Sequence, residues 1–145
     1  MTAADLAPTT PPLSATAIGF LEAPHFAVVS CLNPDGSPLQ AVVWYLLDGD
    51  AIVFNSRVGR HWPTNLQRDR RVSLTVADGY EYVEMRGEVE IDEDPIRSQE
   101  VIAGLTHRYQ PNKESADALI AEFASQARVT FRLRPTRIFE RLSGK

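Results

Sequence analysis

One stretch of this 145-residue chain gathers side chains that could do chemistry. It reads Asn55-Ser56-Arg57-Val58-Gly59-Arg60-His61-Trp62-Pro63-Thr64-Asn65-Leu66-Gln67-Arg68-Asp69-Arg70-Arg71 and packs five arginines into the link between a strand and a short helix. Guanidinium donors, a flexible Gly59 and the unpaired N–H groups of a helix start together suit a phosphate or carboxylate anion. The alternative is a solvated basic turn pairing with surface Asp and Glu, and charge alone does not separate the two. A second set is aromatic: Trp44, Trp62, Tyr80 and Tyr82 could stack on a flat ring or fill a core and an interface.

The other reactive residue types are placed unfavourably for chemistry. His25, His61 and His107 are scattered with no ligand spacing, so no metal site is expected. Cys31 is the single cysteine, which excludes an intramolecular disulfide and fits a reducing cytoplasm. It lies in the apolar run Phe26 to Leu32 and reads as a small buried hydrophobe. Glu81, Glu84, Glu88 and Glu90 read as the exposed face of a strand. A net charge of −4 argues against generic nucleic-acid binding, no apolar run is long enough to span a bilayer, and no catalytic triad suggests itself.

These residues need a scaffold, and the pattern around them is β-rich. Residues 1–13, rich in Ala, Thr and Pro, predict a loose arm, with one domain over 14–145. Ser14 is an N-cap for a short helix carrying Ile18 and Leu21. Strands are expected over Phe26 to Leu32, Leu39 to Leu47 and Ala51 to Asn55 as three consecutive antiparallel neighbours, with turns at Asn33-Pro34-Asp35-Gly36 and Asp48-Gly49-Asp50. A helix is expected from Trp62 to Arg68, then strands at Arg71 to Ala77 and Tyr80 to Ile91. Asp94-Pro95 opens a further helix, Ser115 to Ala127 is another, and strands at Arg128 to Leu133 and Ile138 to Leu142 close the chain. Six or seven short antiparallel strands with inserted helices make a β-rich α+β fold, with barrel closure to remove the edges. No βαβ unit with a Gly-rich loop is present, so a Rossmann dinucleotide site is not expected.

From Ala17 to Leu142 the chain resembles the pyridoxamine 5′-phosphate oxidase-like split β-barrel family, and within it the branch that uses the deazaflavin F420. The residues that carry the resemblance are the Asn33-Pro34-Asp35-Gly36-Ser37-Pro38 turn, the strand end Phe54-Asn55-Ser56, Gly59-Arg60, Asn65-Leu66, Arg68-Asp69 and Arg71-Val72-Ser73-Leu74. The resemblance implies a homodimer with its cofactor at the interface. It makes Asn55, Ser56, Arg60 and Asn65 phosphate or ring-edge candidates, and Val42, Val43 and Trp44 the lining of the ring. Tyr80 and Tyr82 would approach the partner subunit's cofactor. Many relatives carry a lysine two residues after the matching arginine; here that position is Trp62, followed by Pro63, which leaves Arg57 or Arg60 to meet the anion.

The implied activity is hydride transfer between F420 and an unsaturated or quinone-like small molecule in the cytoplasm, with FMN as the alternative cofactor. The cofactor would carry the chemistry, so the chain needs no catalytic triad of its own. A non-catalytic carrier of flavin, deazaflavin or haem on the same fold is the alternative from a different class.

Overall fold

The computed structural model describes residues 10–143, so most of the expected N-terminal arm lies outside the described residues. Leu13 packs on the core, and Ser14 caps α1 (Ala15–Glu22) by accepting from the Ala17 N–H at 3.0 Å. The chain continues through β1 (Ala27–Leu32), β2 (Pro38–Val43), β3 (Leu46–Asp48), β4 (Ala51–Arg57), α2 (His61–Arg68), β5 (Arg71–Asp78) and β6 (Glu81–Asp92). It ends with α3 (Pro95–Tyr109), α4 (Lys113–Phe123), β7 (Arg128–Leu133) and β8 (Arg137–Arg141). The last helix begins and ends a few residues earlier than its sequence pattern predicts, because Asn112 supplies the cap, accepting from the Ser115 N–H at 2.8 Å.

All pairings are antiparallel and run β2-β1-β5-β6-β7-β4-β3, with β8 also on β6. The long strand β6 serves both halves of a curled sheet. Residues 81–88 pair with β5 and 82–86 with β8, whereas 89–92 pair with β7. Gly87 sits at the change of partner, where a Cβ would lie 3.2 Å from Leu133 Cδ1. This is the split β-barrel that the family resemblance implies, with eight strand segments where the strand pattern predicts six or seven.

The extra segment comes from a break in the expected second strand. β2 stops at Val43 and β3 starts at Leu46, so β2 does not go on to pair with β4 as three consecutive strands would. The reason is Tyr45, whose ring is fully buried and whose main-chain groups bond to side chains of α3 and not to a neighbouring strand. In the core, Phe54, Phe131 and Trp62 meet with ring centres 5.6–5.8 Å apart, fastening α2 to β4 and β7.

Candidate functional site

A cavity of about 360 Å³ lies where the β2 end, β4, the start of β7, and helices α3 and α4 meet. Seven of the residues singled out in the sequence line it together: Val42, Val43, Trp44, Asn55, Arg57, Arg60 and Trp62. Side chains alternate along a strand, so Asn55 and Arg57 of β4 share the cavity face while Ser56, 1% exposed, lies on the other side. Trp62 is mostly core and presents only an edge, so at this position the chain offers packing in place of a cation.

The polar end of the cavity is built across the β4–β7 ladder, where Asn55 is opposite Thr130 and Arg57 opposite Arg128. Arg128 donates through Nε to Asn55 Oδ1 at 2.7 Å and through a terminal nitrogen to Gln126 Oε1. Asn55 in turn donates to Thr130 Oγ1 at 2.9 Å and to the Ser98 carbonyl at 3.1 Å. Ser98 and Thr130 share a hydroxyl contact at 2.9 Å, which leaves no member of the network without a partner. The Arg128 guanidinium rests on the Phe123 ring at 4.8 Å.

The electrostatics at this end are one-sided. None of Arg57, Arg60 and Arg128 has a carboxylate partner among the described residues, whereas Arg71, Arg97, Arg132 and Arg134 each have one. Burial first, and then the charges of Arg60 and Arg57, bring Arg128 down to about 10 from 12.5. Like charges facing each other across a ladder destabilise it. An anion placed between them would relieve that cost.

Four of the sequence-predicted residues lie elsewhere in the chain. Ser56 faces away, as described. Asn65 uses its amide to bind α2 to the first hairpin, donating to Asn33 Oδ1 at 2.9 Å and accepting from Arg68 at 3.0 Å. Tyr80 is 92% exposed at the β5–β6 turn, and Tyr82 stands against Phe139 with ring centres 5.8 Å apart. Asp69 pairs with Arg71 at 2.7 Å and not with Arg60.

Sequence reasoning missed Ile102, Leu105, Phe123, Gln126 and Arg128, the wall contributed by α3, α4 and β7. The one local signal was an arginine heading the strand-like run Val129 to Leu133. Its pairing opposite Arg57 is a matter of register between distant strands, which no local pattern encodes. The assembled set suits a ligand with an anionic group at the arginine end and a flat apolar part against Val42, Val43 and Trp44.

The family model for pyridoxamine 5′-phosphate oxidase matches residues 14–141. The chain belongs to that family. The pyridoxamine 5′-phosphate oxidase family binds flavins and includes oxidoreductases. Among solved structures, a conserved hypothetical protein from Mycobacterium tuberculosis superposes with TM-score 0.73 at 24% identity, over 89% of this chain and 84% of that one. An F420 reductase superposes with TM-score 0.68 at 26% identity, over 90% of this chain and 100% of that one. General stress protein 26 from Bacillus anthracis shares the fold at 15% identity, with TM-score 0.61 over 84% of this chain and 88% of that one. No curated protein matches the chain by sequence. Among the described residues no helix is long and apolar enough to cross a membrane, and no His, Cys, Asp and Glu side chains gather into a metal-binding set.

Proposed function

We propose that this family member is an oxidoreductase using the deazaflavin F420, transferring a hydride to an unsaturated or quinone-like organic substrate. The observation that carries the reading is the convergence of Arg57, Arg60 and Arg128, without carboxylate partners, at one end of a cavity whose apolar wall is Val42, Val43 and Trp44. Similarity to an F420 reductase across that protein's whole length supports the choice of cofactor.

The three arginines would hold the phosphate, with Arg128 kept in place by Asn55 and Gln126. Val42, Val43 and Trp44 would bear on the ring, and Ile102, Leu105 and Phe123 would exclude water from the opposite side. The cofactor, when bound, supplies the hydride, so the chain's task is to bind, orient and shelter. The exposed arginines from Arg57 to Arg71 suit the carboxylates of an oligoglutamate tail.

The reading includes a homodimer. The cavity lies at the small end of the 300–1,000 Å³ typical of ligand sites, and Val42 at its edge is 69% exposed. A second copy covering Val42 and Phe26 would complete the wall.

The test is titration of the purified protein with F420 and FMN at one salt concentration, after sedimentation has fixed its assembly state. F420 should bind at least about tenfold more tightly, since its tail adds charge-assisted contacts. Tighter FMN binding would replace F420 with FMN, and a stable monomer at micromolar concentration would remove the shared site. Tight binding with no acceptor-dependent loss of reduced-cofactor absorbance would make the protein a carrier.

A further inference from the structure

Trp44 and Tyr45 fill the gap between β2 and β3, and the last turn of α3 takes over the main-chain bonds that the sheet does not supply there. Tyr109 Oη accepts from the Tyr45 N–H at 3.2 Å and donates to the His25 carbonyl. Arg108 donates through Nε to the Tyr45 carbonyl at 3.0 Å. Its terminal nitrogens reach the carbonyls of Leu21, Glu22 and Ala23 at 2.9–3.1 Å, groups that the end of α1 leaves without helical partners. Nearly all the donors of this guanidinium are therefore spent on the main chain, which leaves it no capacity to bind an anion.

The Tyr109 ring of this clamp stacks on Trp44, at 5.2 Å and 5° from parallel, and on Phe26, at 5.7 Å and 20°. The Arg108 guanidinium lies over the rings of both Tyr45 and Tyr109, 5.2 and 5.5 Å from their centres. Trp44 lines the cavity, and so do Ile102 and Leu105 from the same helix that ends in Arg108 and Tyr109. One rigid element thus sets both the indole and the wall across from it.

We infer that Arg108 and Tyr109 are positioning residues: they fix the Trp44 indole in plane and thereby set affinity for the ring of the ligand and not for its anion. This rests on the proposed reading of the cavity as a site for a flat ring carrying phosphate. A clamp that served the fold alone would need the hydrogen bonds of Arg108, but not a near-parallel Tyr109 on Trp44.

The experiment uses the full chain with Trp62→Phe, so that Trp44 is the single indole of the two in the sequence. Tyr109→Leu removes the stack, and Tyr109→Phe keeps it. In Tyr109→Leu, acrylamide quenching of Trp44 should rise by about twofold with a red-shifted emission, and affinity for F420 and FMN should fall about tenfold. Binding of inorganic phosphate, followed by the arginine Nε–H resonances, should stay within about twofold, because the hydrogen bonds and ring contacts of Tyr109 reach none of Arg57, Arg60 and Arg128. Tyr109→Phe should keep both quenching and ring affinity within about threefold of the parent. If Tyr109→Leu does not fold by circular dichroism, Tyr109→Met, which fills the space without a flat face, takes its place with the same expectations. Unchanged Trp44 fluorescence in the folded variant overturns the inference, as does equal loss of phosphate and ring binding. A chain with both tryptophans in place that binds neither F420 nor FMN overturns the proposed function instead, while the fluorescence still decides whether Tyr109 holds Trp44.

Discussion

Replacing Arg128 by Met should leave the ligand-free fold about as stable as before while removing much of its hold on an anion. Arg128 is only 9% exposed, and its guanidinium sits at about 10 in place of 12.5. At about 1.4 kcal/mol per pH unit, keeping the charge there costs the folded protein on the order of 3 kcal/mol at neutral pH. The variant recovers that cost. It loses the bonds to Asn55 and Gln126, each about 1 kcal/mol, and the Phe123 contact, about another 1 kcal/mol. The two sides nearly cancel, so the melting temperature should move by no more than about 4 °C. Affinity for a phosphate-bearing ligand should fall by about 1.5–3 kcal/mol, roughly ten- to a hundredfold, with the loss of one charge-assisted contact. Thermal unfolding over graded phosphate or cofactor reads both quantities, because ligand raises the midpoint only once its concentration exceeds Kd. A variant destabilised by more than about 3 kcal/mol, with its ligand dependence unchanged, would show that Arg128 is structural and that this end of the cavity is no anion site.

Arg60→Ala should weaken binding of FMN, which carries the phosphate without a glutamate tail, about tenfold, whereas Arg70→Ala, outside the cavity, should change it less than about twofold; equal weakening in titrations would mean diffuse electrostatics. Burial first, then the nearby Tyr109, push the Tyr45 phenol up to about 12, so the stability it contributes is complete below pH 10 and lost as pH climbs from 10 towards 12. Urea unfolding at rising pH should therefore show the parent losing on the order of 2–3 kcal/mol more than Tyr45→Phe; parallel pH profiles would refute the buried phenol. Arg128 acts with the opposite sign in the same window, its charge penalty lifting above about 10, which is why the comparison is between parent and variant. Gly87→Ala should cost about 1–2 kcal/mol by pressing a Cβ on the fully buried Leu133, and an unmoved urea midpoint would mean that the sheet crossing yields.

The strands and helices were legible because each carries its own local signal: an alternating pattern, a Ser14 or Asp94 cap, a glycine turn such as Gly36 with φ of 87°. The break at Trp44-Tyr45 was not, since its cause is a pair of side chains on α3 more than sixty residues away. For the same reason the β4 side of the cavity could be picked out, whereas the α3–α4 wall and Arg128 could not. Asn55 and Asn65 look equivalent as polar residues flanking a basic run. Only the fold shows that one lines the cavity and the other ties a helix to a hairpin.

The position of β4 in the sheet has a consequence for synthesis. Every residue from Ala51 to Ser56 is buried, yet among the described residues its only strand partner apart from the three-residue β3 is β7, with Asn55 and Thr130 75 residues apart. At the usual 5–20 residues per second, this apolar strand waits about 4–15 s on the ribosome before its partner is made. An edge of that kind invites pairing with another chain. Arg57 and Arg60, directly after it, place positive charge where such pairing would spread, so the side chains suited to an anion in the finished fold also act as gatekeepers against aggregation in the nascent one.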